Sequence, residues 1–332
     1  MKKIIAAALI NLSVLTGITY ASDAAELPTL TIYSYDSFTA DWGPGPALGK
    51  AFEAECDCQV KWVPFGDGIT MFNRLRLEGK QPKADVVIGL DNNLLKTAMD
   101  SGLFAENNLD LSRLQLPIAW ENQTFIPYDY GQYAFIYDKT KLNHPPTSLK
   151  ALIADENLSI IYQDPRTSTV GRGLLAWVNR VYPDNAAKAW QQLAKHTVTV
   201  GKGWSETYGA FLKGEADMVL SYNTSPLYHQ INEDNNNYAA AEFAEGHIVQ
   251  IELAGRLTTA KHPQLAERFL GFLLSPEAQK IIALKNIMLP VIDVAVEPRF
   301  DAFKPAKTLA VPQPDKATSK QRLKVWQSAV SR

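Results

Sequence analysis

The chain has 332 residues, of which 46% are hydrophobic and 20% charged, and its formal net charge is −2. That length suits about two domains, and the near-neutral balance leaves no basic footprint for nucleic acid. Two cysteines are too few to build a tetrahedral structural zinc site.

Residues 1–21 read as a secretory signal peptide. Lys2 and Lys3 give a basic start, and Ile4 to Ile18 is mostly apolar and uncharged. Thr19-Tyr20-Ala21 closes the segment, with Ala24 or Ala25 as alternative cleavage points. The apolar run is shorter than the roughly 20 residues a membrane span needs. No cysteine stands at the cleavage point to carry a lipid, and no later stretch is apolar enough to cross a membrane. The mature chain is expected outside the cytoplasm and not embedded in a membrane.

Strands and helices then alternate. Leu30 to Tyr35, Gln59 to Val63 and Ala84 to Gly89 read as strands. Gly45 to Glu55, Thr70 to Glu78 and Leu94 to Ser101 read as helices, the last stopped by Gly102. This order implies a parallel sheet covered on both faces. Cys56 and Cys58 fall at the first helix-to-strand turn. In an oxidising compartment they favour a local disulfide, and Cys-x-Cys is not the Cys-x-x-Cys redox pattern.

A second set follows. Phe125 to Tyr130 and Tyr133 to Tyr137 read as two strands, with Pro127 to Gly131 as the best hinge candidate. Helices are expected at Ser148 to Asp155, Leu174 to Val181, Ala186 to Ala194 and Ser205 to Lys213, and strands at Ser159 to Tyr162 and Met218 to Leu220. Ile248 to Ala254 is a further strand. Helices at Leu265 to Leu274, from Ser275 onward and at Lys320 to Ser331 complete the chain. Two α/β lobes joined by extended segments fit this order.

Catalytic patterns are missing. His144, His196, His229, His247 and His262 are scattered without metal spacing, and no Gly-x-Ser-x-Gly elbow or phosphate-loop lysine motif occurs. What remains are polar and aromatic residues at strand ends, where open α/β sheets hold ligands. Trp42 is equally an ordinary turn aromatic. Asp67, with Gly68, is equally an Asx cap. Ser168 and Thr169 either cap a helix or hold an anion at its free N–H groups. Trp204 and Tyr222 flank one strand's carboxyl end and are either core or stacking aromatics. Together they suit a flat cation, attracted by the rings and paired by Asp67.

Several stretches are more specific. They are Tyr35-Asp36-Ser37-Phe38 with Asp41-Trp42-Gly43-Pro44-Gly45-Pro46, Ala84 to Asn93, Tyr162 to Thr169, Lys202 to Glu206, and Leu220 to Pro226. On these the chain resembles the periplasmic thiamine-binding proteins of ABC transporters, from Leu30 to Arg332. The resemblance implies a two-lobed periplasmic binding protein fold of type II, with the ligand in the interlobe cleft. Residues 28–126 with about 250–290 would form one lobe, and 127–249 with about 291–332 the other.

The resemblance also implies contacts. Trp204 and Tyr222 would stack on the thiamine rings, and Asp67, beside Gly68, would pair with the aminopyrimidine. Ser168, Thr169, Asn223, Thr224 and Ser225 would reach the hydroxyethyl or phosphate end, next to Pro226. Trp42 and Tyr228 are further contact candidates. Asn223 departs from the threonine commoner in the family. The resemblance implies a monomer without catalysis or cofactor. It would take up thiamine, thiamine monophosphate and thiamine diphosphate and hand them to a permease and, through it, an ATPase. A ferric-ion binder of the related fold is the alternative, but the adjacent tyrosines expected as iron ligands do not occur. A secreted enzyme ranks third.

Overall fold

The computed structural model describes residues 26–312 and 314–331, so the signal peptide expected at residues 1–21 lies outside the described residues. The strands are β1 (Thr29–Tyr35), β2 (Gln59–Phe65), β3 (Val86–Asp91), β4 (Phe125–Asp138), β5 (Ile160–Gln163), β6 (Thr197–Gly201), β7 (Met218–Tyr222), β8 (Tyr238–Ala240) and β9 (Val249–Arg256). The helices preceding β4 are α1 (Asp36–Thr39), α2 (Pro44–Cys56), α3 (Gly68–Glu78) and α4 (Leu95–Met99). Between β4 and β9 lie α5 (Leu149–Ala154), α6 (Thr169–Val181), α7 (Ala186–Ala194), α8 (Trp204–Leu212) and α9 (Ser225–Asn232). The chain ends with α10 (Pro263–Leu273), α11 (Pro276–Asn286), α12 (Pro298–Asp301) and α13 (Lys316–Val330).

The strand order is β2-β1-β3-β9-β4-β7-β5-β6, with β8 added beside β4. β1 runs parallel to β2 and β3, as the early β-α alternation requires. β3 is buried along its whole length, which suits its Val86-Val87-Ile88 run. Strand β4 crosses from one half of the molecule to the other. Residues 125–132 of β4 pair antiparallel with β9, and residues 133–137 pair with β7. The hinge candidate Pro127 to Gly131 therefore lies inside one continuous 14-residue strand, with a register shift between Pro127 and Asp129.

Each half has its own core. In the first, Phe38, Phe52, Phe269 and Ile282 pack on one sheet face, and Met71, Leu75, Phe125 and Ile251 on the other. In the second, Trp177, Trp190, Phe135 and Trp326 form the largest cluster. Each such side chain contributes roughly 1.5–3 kcal/mol by leaving water. Trp326 on α13 also donates to the Tyr162 hydroxyl at 3.1 Å, which pins the C-terminal helix to this core.

Several elements differ from expectation. Helix α6 begins at Thr169 and not Leu174, because the Ser168 side chain caps it by accepting from Gly171 N. Strands β6 and β8 and helices α1, α9 and α12 were not anticipated; α9 starts inside the polar Asn223 to Pro226 run, with Pro226 in its first turn. Cys56 and Cys58 are bonded at the α2-to-β2 turn, where Asp57 takes a left-handed conformation with φ 49°. Among the described residues no helix is long and apolar enough to cross a membrane.

Candidate functional site

A cavity of about 320 Å³ opens between the two halves, within the usual range for small-molecule sites, about 300–1,000 Å³. Strand ends supply Tyr35, Gly66 with Asp67, and Tyr222, and β9 supplies Glu252. The first turns of α6, α8 and α9 also line it, through Thr169, Trp204 and Ser225, and Asp67 is the N-cap of α3. Four helix N-termini therefore converge on one space, and the first N–H groups of α3 and α6 already hold an anion, the Asp67 carboxylate.

Gly68 and Gly89 allow this approach. A Cβ on Gly68 would stand 2.2 Å from the Gly89 carbonyl oxygen, and one on Gly89 would stand 2.2 Å from the Tyr35 ring. Gly89 has φ +102° at the register shift between Ile88 and Leu90, a backbone that glycine tolerates. The missing side chains let α3 begin against β3 and let the Tyr35 ring lie over the strand at the cavity floor.

Asp67 bridges the two halves. Its Oδ1 accepts from Gly68 N at 2.7 Å on its own side and from Thr169 N at 2.9 Å on the opposite side. Burial raises its carboxyl to about 6, although these hydrogen bonds oppose the shift. Further contacts close the mouth: Thr70 N donates to Thr167 O at 3.2 Å, and Ser205 Oγ donates to Asp36 Oδ1 at 2.9 Å.

The aromatic wall is fixed from behind. Trp204 stacks on Tyr208 at 4.9 Å and 16°, and its Nε1 donates to Ser221 Oγ at 2.7 Å. Ser221 Oγ in turn bonds Ser225 Oγ at 2.8 Å. Tyr222 stacks on Tyr133 at 5.7 Å and 26°, and its hydroxyl donates to Gln250 Oε1 at 2.7 Å. These contacts hold both rings in place without a ligand, a preorganisation that lowers the ordering cost of binding.

Charge in the cavity is mostly negative. Asp36, Asp67 and Glu252 line it, against Lys285. Glu252 is buried, and burial raises its carboxyl to about 7. Its Oε2 accepts from Tyr35 at 2.7 Å and from Tyr128 at 2.6 Å.

Of the residues expected from sequence, Asp67, Thr169, Trp204, Tyr222, Ser225, Trp42 and Tyr228 line the cavity. Trp42 stands at the mouth, half exposed. Gly68, Ser168, Asn223, Thr224 and Pro226 lie behind the wall. Asn223 is locked to the crossing strand: its Nδ2 donates to Gln132 Oε1 at 2.8 Å and its Oδ1 accepts from Gln132 N at 3.1 Å. Thr224 is fully buried with its hydroxyl 3.9 Å from Met288 Sδ. Sequence reasoning missed Tyr35, Tyr208, Glu252, Asn286 and Met288 as lining residues. Glu252 carried a signal, since a carboxylate within a buried strand demands a partner. Tyr35 carried the same strand-end signal as Tyr222.

This fold and cleft are those of a solute-binding protein. The sequence model for bacterial extracellular solute-binding proteins matches residues 47–309, and the chain belongs to that family. Two relatives are thiamine-binding periplasmic proteins. That of Salmonella typhimurium is 55% identical over 315 residues, covering 94% of this chain and 96% of its own. That of Haemophilus influenzae is 56% identical over 310 residues, covering 92% and 93%. A solved periplasmic thiamin binding protein superposes with a TM-score of 0.90 at 54% identity, covering 92% of this chain and 97% of that one.

Proposed function

We propose that the protein captures thiamine in the periplasm and delivers it to an ABC importer. It is a binding protein and not an enzyme, as its family implies. The observation that carries the ligand is the cavity wall: Trp204, Tyr208, Tyr222 and Tyr35 surround a space whose lining acids outnumber its lysine. Aromatic faces attract a flat cation, and the excess carboxylates supply its counter-charge. The thiamine-binding relatives at more than half identity support the same ligand.

Thiamine monophosphate and diphosphate are proposed as further ligands. The converging starts of α6, α8 and α9, with Lys285 nearby, favour a phosphate at that end. Trp204 and Tyr222 stack on the rings, and Asp67 pairs with the aminopyrimidine through the carboxylate oxygen that does not bind Thr169. Asn223, Thr224 and Pro226 act from behind the wall by setting the start of α9.

The lobes divide as residues 28–126 with about 250–290, and 127–249 with about 291–332. The partner switch within β4 falls at Gln132 and Tyr133, a few residues beyond the proposed 126/127 boundary. The protein works as a monomer that meets a permease and, through it, an ATPase. Titration calorimetry with thiamine and its two phosphates tests the reading. Saturable heat with all three is expected at micromolar protein, and no heat with any of them would overturn it.

A further inference from the structure

Glu252 occupies a strand that is otherwise mostly apolar, and its side chain is buried there. Asp129 lies directly opposite it in the β4–β9 ladder. Side chains so paired sit about 4.5–5.5 Å apart at Cβ. Asp129 is fully buried, with Oδ2 accepting from Asn286 at 2.7 Å and Oδ1 without a partner. Two adjacent carboxylates out of water cannot both ionise cheaply. Burial first, then the Glu252 charge, push Asp129 well above the usual carboxylate range.

The groups facing Glu252 come from every neighbouring element. Tyr35 on β1 and Tyr128 on β4 donate to Oε2, and Gln250 on its own strand donates to Oε1 at 3.2 Å. Asn286 on α11 approaches Oε2 at 3.3 Å. Asp91 on β3 is the register partner of Glu252 on the other side of β9, so an acid flanks it on each neighbouring strand. Asp67 beyond β2 adds further negative charge, and Tyr222 on β7 feels the Glu252 charge in turn. Lys285 lines the same cavity. Among the described residues no cation lies within 4 Å of the Glu252 carboxylate. An acid walled by hydrogen-bond donors yet without a cation is incomplete, because burying a charge is costly unless it is paired.

We propose that Glu252 is the counter-charge for the cationic ring of the ligand, and that it releases a proton to solvent when that ring enters. The inference rests on the thiamine reading. The thiazolium charge is a quaternary nitrogen with no proton of its own. Protonated Glu252 and the cation become a carboxylate–cation pair, the Glu252 O–H bond breaks, and the proton passes to buffer. Asp129 faces the pair from β4, where Asn286 donates to its Oδ2 at 2.7 Å. The tyrosine hydroxyls hold the carboxylate in place, since burial keeps both phenols protonated.

Calorimetry of the wild-type protein in buffers of different ionisation heat tests this. Near neutral pH thiamine binding is expected to release a fraction of a proton, and the fraction grows as pH falls because more of Glu252 then carries one. The release fades toward about pH 9, where the carboxylate is already formed. Glu252→Gln is expected to abolish the release and to weaken thiamine at least about tenfold. The same variant should bind an analogue with a neutral ring in place of the thiazolium as well as the wild type does. Normal thiamine binding with heat independent of buffer would overturn the proposal. So would a release that persists in Glu252→Gln and vanishes in Asp67→Asn, which would assign the proton to Asp67. Absence of thiamine binding by the wild type would instead sink the functional reading itself.

Discussion

The Asp67 carboxylate accepts from Thr169 N at 2.9 Å across the mouth of the cleft. One residue thus caps the first turn of α3 and also meets the start of α6 on the other half. Asp67→Ala removes a charged acceptor from two backbone donors, and such bonds are worth about 1.5–3 kcal/mol. Thiamine affinity is expected to fall by about tenfold to a hundredfold, measured by calorimetry. Small-angle scattering should show a more open ligand-bound form. An unchanged dissociation constant would show that the bridge contributes nothing to closure.

Trp204→Ala deletes a ring that is stacked on Tyr208 and tethered to Ser221. Loss of about 1–3 kcal/mol of thiamine binding is expected from the lost face and its attraction for a cation. Trp204→Phe keeps a face but loses the tether, and should fall between the two. Fluorescence quenching by thiamine should shrink in both variants.

The buried acids set the pH dependence of the unliganded protein. Asp67 and Asp91 rise to about 6 and Glu252 to about 7, chiefly through burial. In the unfolded chain the same groups titrate near about 4. Protonated acids thus favour the folded state, so their stabilisation is complete below about pH 4 and is lost as pH rises through about 6 to 7. The melting temperature without ligand is expected to fall between about pH 5 and 8, and Glu252→Gln should flatten that slope. Thiamine affinity should run the other way and rise with pH over that range. A ligand-free melting temperature that climbs from pH 5 to 8 would contradict the assignment.

Gly68→Ala should be severe for so small a change. The added methyl meets the Gly89 carbonyl oxygen and then Thr169 Cγ2, at 2.2 and 2.9 Å. Backbone must shift at the first turn of α3, which carries the bridging Asp67. A drop in both melting temperature and affinity is expected, whereas Gly79→Ala, with nothing within 4 Å but φ +62°, should affect stability alone.

The Cys56–Cys58 bond encloses a single intervening residue, so it removes little freedom from the unfolded chain. The Cys56→Ser, Cys58→Ser double variant is expected to fold, to lose only a few degrees of melting temperature, and to bind thiamine as before. A large loss of binding would place an unforeseen demand on the α2-to-β2 turn.

Much of the architecture could be read from the chain because local signals agreed with the final packing. The Val86-Val87-Ile88 run is a strand buried on both faces, and Ser275 with Pro276 does start α11. The failures were long-range. Nothing local shows that residues 125–138 form one strand, because its two ends are paired by different partners far along the sequence. The hydroxyl-rich run after Tyr222 suggested side chains turned toward a ligand. Asn223 instead spends both polar atoms on Gln132, a contact between residues 91 apart. Glu252 and Asn286 reach the cavity only because β9 and α11 meet there, which no periodicity displays.

The crossing strand β4 is hydrogen-bonded to β9 up to the point where its partner changes, at Gly131 with Gln250 and Gln132 with Val249. A ladder of that kind resists sliding and shearing but yields to torsion. Opening and closing are therefore expected as a rotation about the β4–β9 pair, which changes the angle between the outer faces while leaving each face intact. A membrane complex that grips both outer faces at once could then distinguish a loaded carrier from an empty one by that angle alone, with no need to touch the vitamin.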